Sequence, residues 1–146
     1  MNSARVGFLT ADPYFLKKIL QKVSKRFRAD LYCSLAEVEL EISGRAVSYD
    51  HFFVDLNVPD NSNTVWELSG LWAVWRVRKM SRNSDLKVTV LTEAGSPNTA
   101  YACLQNGADN FIEKNTSFEK FWEDVNCVLD RGVCGLGKVV QPSPSH

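Results

Sequence analysis

The segment His51-Phe52-Phe53-Val54-Asp55-Leu56 constrains this chain more than any other. It is apolar at consecutive positions rather than alternate ones, so a strand built from it has two faces to bury. Such a strand suits the interior of a parallel sheet covered by helices on both sides. It also carries a carboxylate, Asp55, to the end of the strand, where the apolar run would otherwise give no chemistry.

The rest of the chain supplies neighbours for that strand. Arg5-Val6-Gly7-Phe8-Leu9-Thr10 reads as a short strand, followed by Ala11-Asp12-Pro13, with proline where a helix can start. From Tyr14 to Arg28, Leu16, Ile19, Leu20, Val23 and Phe27 recur at helical spacing, with most of the basic residues on the other side. Leu31-Tyr32-Cys33 reads as a second strand, and Ser34 with Glu37 forms a capping box for a helix ending near Gly44. After a polar loop, Val65 to Arg82 reads as a helix carrying Trp66, Trp72, Trp75, Arg76, Arg78, Lys79 and Arg82. At least one of these tryptophans is expected in the core and the basic side in solvent.

Lys87 to Leu91 is a strand ending at Thr92, Pro97 to Asn106 a helix closed by Gly107, and Asn110 to Glu113 a strand that delivers Lys114. Thr116 with Glu119 caps a last helix, whose apolar face is Phe118, Phe121, Trp122, Val125 and Leu129. Five strands alternating with five helices predict a doubly wound α/β domain: a five-stranded parallel sheet with helices on both faces. In such sheets ligands sit beyond the carboxyl ends of the strands, where strand order reverses. The polar residues brought there are Thr10, Ala11 and Asp12 together, Asp55, Thr92 and Lys114. The domain is expected over residues 5–131. Residues 132–146 hold three Gly and two Pro, which fits a flexible tail or a linker equally well.

Seventeen Lys+Arg balance seventeen Asp+Glu, so no net field draws the chain to nucleic acid or an anionic membrane. No apolar run reaches the roughly 20 residues of a membrane span. The four cysteines are too dispersed for a disulfide scaffold or a metal knuckle, and Met1 to Arg5 lead straight into a strand. A cytoplasmic domain is the expectation. His51 and His146 are too few and too distant for a metal cluster or a catalytic triad, and no phosphate-cradling glycine loop occurs.

In this order, on these strands, the polar residues resemble those of the receiver domains of two-component response regulators. Asp55-Leu56-Asn57-Val58-Pro59 resembles the phosphoacceptor loop, and Thr92 the hydroxyl residue closing the fourth strand. Gly107-Ala108-Asp109-Asn110-Phe111-Ile112-Glu113-Lys114 resembles the fifth-strand signature. The resemblance implies a flavodoxin-like fold. It also implies that Asp55 accepts a phosphoryl group from a histidine kinase, assisted by Thr92 and Lys114, through positioning and charge neutralisation. Thr92 and Phe111 would be switch residues. Mg²⁺ would be the cofactor, with Asp55, the Asn57 carbonyl and a first-strand acid as ligands.

The pattern breaks at the acidic pair of the first strand. Thr10 and Ala11 stand at those positions, and Asp12 lies one residue late. Glu93 follows Thr92 where the family has a small residue, and Asn115 follows Lys114 in place of proline. Two readings follow. One is a working phosphoacceptor whose metal site is rebuilt from Asp12 or Glu93. The other is a pseudo-receiver, a phosphorylation-independent interaction module without turnover, in which a standing Asp55–Lys114 pair holds one conformation. Its partner, a kinase or a downstream signalling protein, would meet the surface of the fourth helix, fifth strand and fifth helix, where the family also forms homodimers. A remote third reading is a haloacid-dehalogenase-type phosphatase, which also uses a strand-end Asp, then a hydroxyl residue, then Lys. That family needs a second carboxylate two residues after the first, and Asn57 stands there.

Overall fold

The computed structural model describes residues 5–10, 12–23, 28–44, 49–56, 73–79, 81, 85–92, 97–114 and 117–131. Their elements follow one another as β1 (Arg5–Leu9), α1 (Pro13–Val23), β2 (Arg28–Tyr32), α2 (Leu35–Gly44) and β3 (His51–Asp55). A helical run over 73–79, here α3, precedes β4 (Lys87–Thr92), α4 (Pro97–Gln105), β5 (Asn110–Glu113) and α5 (Phe118–Arg131). The five strands form one parallel sheet in the order β2-β1-β3-β4-β5. Strand order therefore reverses between β1 and β3, and the doubly wound α/β fold expected from the alternation is the fold found.

Because strand residues alternate between faces, the register sorts the core into two layers. Phe8 lies beside Phe53, and Leu91 beside Ile112. With Val6 they pack under Phe15 and Ile19 of α1 and Phe121, Val125 and Val128 of α5. Leu9, Phe52, Val54, Val88, Val90 and Phe111 face the other way, toward Val38 of α2, Ala73, Val74 and Val77 of α3 and Cys103 of α4. Burial pushes the Cys103 thiol up to about 11. Gly7 is required on that second face. A Cβ built there would overlap the Phe52 ring, which is itself held between Tyr32 and Tyr49.

Local signals set the helix ends. Ser34 Oγ accepts from the Glu37 N–H (3.3 Å) as the expected box requires, while the Glu37 carboxylate accepts the N–H of Cys33 (3.2 Å), one residue before the N-cap. Helix α4 ends in a Schellman turn: Gly107, at φ 106°, donates to Leu104 O, and Ala108 donates to Cys103 O. The last helix departs from expectation. Ser117 Oγ takes the capping bond from the Lys120 N–H (3.2 Å), while Thr116 lies outside the described residues.

Strand β2 also departs, beginning at Arg28 rather than Leu31. Charged Arg28 and Asp30 disguise it in the sequence. As an edge strand it pairs only with β1, and Asp30 is answered by Arg5 Nη2 at 3.2 Å and by the Tyr49 hydroxyl at 2.9 Å. Tyr32 joins the same network through its hydroxyl contact with Tyr49. The expected tail over 132–146 lies outside the described residues.

Trp75 is 38% exposed and carries the Lys79 ammonium over its ring, so the core of α3 is aliphatic; Trp66 and Trp72 lie outside the described residues. The basic side of α3 is not simply solvated either. Arg76 pairs with Glu39 of α2 at 3.0 Å. Arg78 donates to Leu86 O and Gly107 O, each at 2.7 Å, and pairs with Asp109. Arg78 thus ties α3 to the N-terminal ends of β4 and β5.

Candidate functional site

At the carboxyl end of the sheet, the switch point lies between Thr10, just beyond β1, and Asp55, the last residue of β3. The ladder continues past the strand ends. Thr10 N donates to Tyr32 O (3.0 Å), Leu56 N to Leu91 O (2.8 Å), and Lys114 N to Thr92 O (2.6 Å). These bonds fix where each side chain leaves the sheet.

Two of those side chains, Thr10 and Lys114, converge on one atom of a third. Asp55 Oδ2 accepts from Thr10 Oγ1 at 2.7 Å and from Lys114 Nζ at 2.5 Å. The Asp55 and Lys114 side chains are 3% and 5% exposed, so the ion pair is fully enclosed. The Thr10 hydroxyl has a defined direction. Its oxygen accepts the Asp12 backbone N–H at 3.3 Å, which leaves its own proton for Asp55.

Lys114 has a second neighbour that the sequence reading did not name. Its Nζ sits 5.0 Å from the centroid of the Phe15 ring, within cation–π range. Phe15 is held by edge contacts with Phe121 (centroids 4.5 Å apart) and Phe118 (6.0 Å). The signal for Phe15 was its spacing of four from Ile19, which shares its core layer.

Asp12 is committed elsewhere. Its Oδ1 accepts the backbone N–H groups of Tyr14 (3.1 Å) and Phe15 (3.3 Å), which makes it the N-cap of α1. Thr92 is buried at the end of β4, and Phe111 is buried in the layer formed with α2, α3 and α4. Ala11, Asn57, Glu93 and Asn115 lie outside the described residues. The structure therefore brings Thr10, Asp55, Lys114 and Phe15 together and turns the Asp12 carboxylate to the helix.

The described residues alone are a poor fit to a hard divalent cation, which is held by several oxygen ligands and most strongly by carboxylates. Among the described residues no group of three or more His, Cys, Asp or Glu side chains is placed to hold a metal ion. Among the described residues, the carboxylate at the end of β3, Asp55, is engaged by an ammonium and a hydroxyl donor. Nor is any helix among the described residues long and apolar enough to cross a membrane.

No protein-family model matches the chain, and no curated protein sequence matches it. Solved structures do. The response regulator DrrB of Thermotoga maritima, an OmpR/PhoB homologue, superposes with a TM-score of 0.70 at 17% identity, over 91% of this chain and 55% of that one. This chain thus spans about half the length of that regulator. A CheY-like receiver domain from Methanospirillum hungatei gives 0.70 at 18% identity, over 88% of this chain and 95% of its own. The receiver domain of a Francisella response regulator gives 0.67 at 20% identity, covering 88% and 98% respectively. With its strand order, its switch point and these neighbours, the chain has the fold of a response-regulator receiver domain.

Proposed function

We propose that residues 5–131 form a receiver-type signalling domain that works as a protein-interaction module without phosphoryl transfer to Asp55. The observation that carries this reading is the double engagement of Asp55 Oδ2 by Thr10 Oγ1 and Lys114 Nζ in a closed pocket. Phosphoryl transfer relies on positioning and on neutralising the charge that develops. Here Lys114 Nζ and Thr10 Oγ1 share one oxygen of the strand-end carboxylate, and Thr10 stands where the resemblance calls for an acid. In this reading the domain has no turnover, requires no Mg²⁺ and resides in the cytoplasm. It presents α4, β5 and α5 to a protein partner, a kinase or a downstream signalling protein, or to a second copy of itself.

The phosphoacceptor reading has one observation in its favour: Asp55, Thr92 and Lys114 occupy the ends of β3, β4 and β5 as the resemblance requires. Amide NMR with Mg²⁺ and beryllium fluoride separates the two. The interaction-module reading expects spectra unchanged at Thr92, Phe111 and Lys114, and no added phosphate by intact mass after acetyl phosphate. Saturable shifts at those amides, abolished by Asp55→Ala, would refute it and make Asp55 a phosphoacceptor.

A further inference from the structure

We propose that the pocket at the switch point is built for an ammonium group rather than a hard divalent cation. Lys114 is its resident cation, and Thr10 sets the preference. The inference deepens the interaction-module reading and rests on it, because a pocket that needs no metal is the physical form of a site that performs no phosphoryl transfer.

The donor set carries the argument. Among the described residues one carboxylate and one ammonium meet at 2.5 Å, so the enclosed pair is neutral as it stands. Thr10 adds no charge, and its hydroxyl donates to Asp55 while its oxygen accepts the Asp12 N–H. A neutral hydroxyl whose proton points at Asp55 adds no negative charge with which to hold a divalent cation. The third wall is the Phe15 ring, 5.0 Å from Nζ. A π face suits an ammonium carried on an alkyl stem. It cannot replace the oxygen shell that Mg²⁺ gives up reluctantly.

Lys114→Ala vacates the space that propylammonium would refill, since that ion matches the side chain beyond Cβ. Thermal melts of wild type and Lys114→Ala would be run with propylammonium chloride or MgCl₂ at matched ionic strength, with no phosphoryl donor present. The expected result is a saturable rise in Tm for Lys114→Ala with propylammonium, no such rise for wild type, and no saturable Mg²⁺ effect on either. Thr10→Asp supplies the arm that survives if Lys114→Ala does not fold. A second carboxylate against Asp55 should create Mg²⁺-dependent stabilisation that wild type lacks.

Saturable Mg²⁺ stabilisation of wild type would overturn the proposal. So would a folded Lys114→Ala that ignores the amine, or a folded Thr10→Asp that ignores Mg²⁺. The functional reading fails on a different result, a covalent phosphate on Asp55, which these donor-free melts cannot produce.

Discussion

Lys114→Met isolates the charge of the buried pair while keeping an unbranched stem over Phe15. At 2.5 Å and an effective dielectric constant of about 20, the attraction removed is of order 7 kcal/mol. Most of that is offset in the intact protein by the cost of taking both ions out of water, so the pair's own net worth is small. Removing one partner is different, because Asp55 stays 3% exposed with its counter-ion gone. Losses of about 3–5 kcal/mol are typical of that situation.

The Thr10 hydroxyl remains as one hydrogen bond to a charged acceptor, worth about 1.5–3 kcal/mol, and draws the estimate toward about 3 kcal/mol. With a urea m-value of about 1.5 kcal/mol/M, the unfolding midpoint should fall by about 2 M. Adding Asp55→Asn to Lys114→Met should recover much of the loss, with a coupling energy of about 2 kcal/mol in the double-mutant cycle. A loss below about 1 kcal/mol, or strict additivity, would give the pair the value of a solvent-screened surface bridge and refute the argument.

Three further outcomes test the scaffold around the site. Arg78→Met leaves Leu86 O, Gly107 O and the Asp109 carboxylate without their shared donor and should cost about 2–3 kcal/mol by urea unfolding; a change within about 0.5 kcal/mol would make the clamp dispensable. Gly7→Ala forces a methyl group into the Phe52 ring and should lower stability by about 1–3 kcal/mol, whereas a neutral or stabilising result would contradict the packing. At the opposite end of β3 from Asp55, burial holds the His51 pKa below its ordinary value, against the raising effect of Asp50 and with a smaller lowering effect of Lys87. The unfolded chain therefore takes up this proton first. Stability should fall as pH drops from about 6.5 through the folded pKa, and His51→Gln should flatten that part of the profile.

The alternation of strands and helices was legible because each element carries a local signal that tertiary contacts reinforce. The two-faced run of β3, the Ser34–Glu37 box and Gly107 each report a backbone requirement in one or a few residues. Strand β2 was harder to read, since an edge strand needs one partner only and its Asp30 finds that partner in Arg5, 25 positions earlier. Arg78 was misread as a solvated charge for the same reason: its acceptors lie at Leu86 and Gly107, and no helical periodicity encodes them. At the site, the Asp55–Lys114 pair could be expected from strand order. The direction of the Thr10 hydroxyl could not, because it depends on the Asp12 N–H two residues away and on Asp55 across the switch point.

Strand β5 links that pocket to the opposite layer of the core. Lys114 follows its last residue, with its backbone N–H bonded to Thr92 of β4 and its ammonium on Asp55 of β3. Phe111 lies three positions earlier, so it points to the other face of the sheet, where it packs in the layer that includes Cys103 of α4. A strand cannot shift by a single residue without exchanging its faces. Holding Lys114 at both its backbone and its ammonium therefore favours the register that buries Phe111. The Lys114 ammonium and the Thr10 hydroxyl proton join β1, β3 and β5 at Asp55, and the Lys114 backbone N–H adds β4 through Thr92 O. The proposed reading of a fixed interaction surface rests on that linkage.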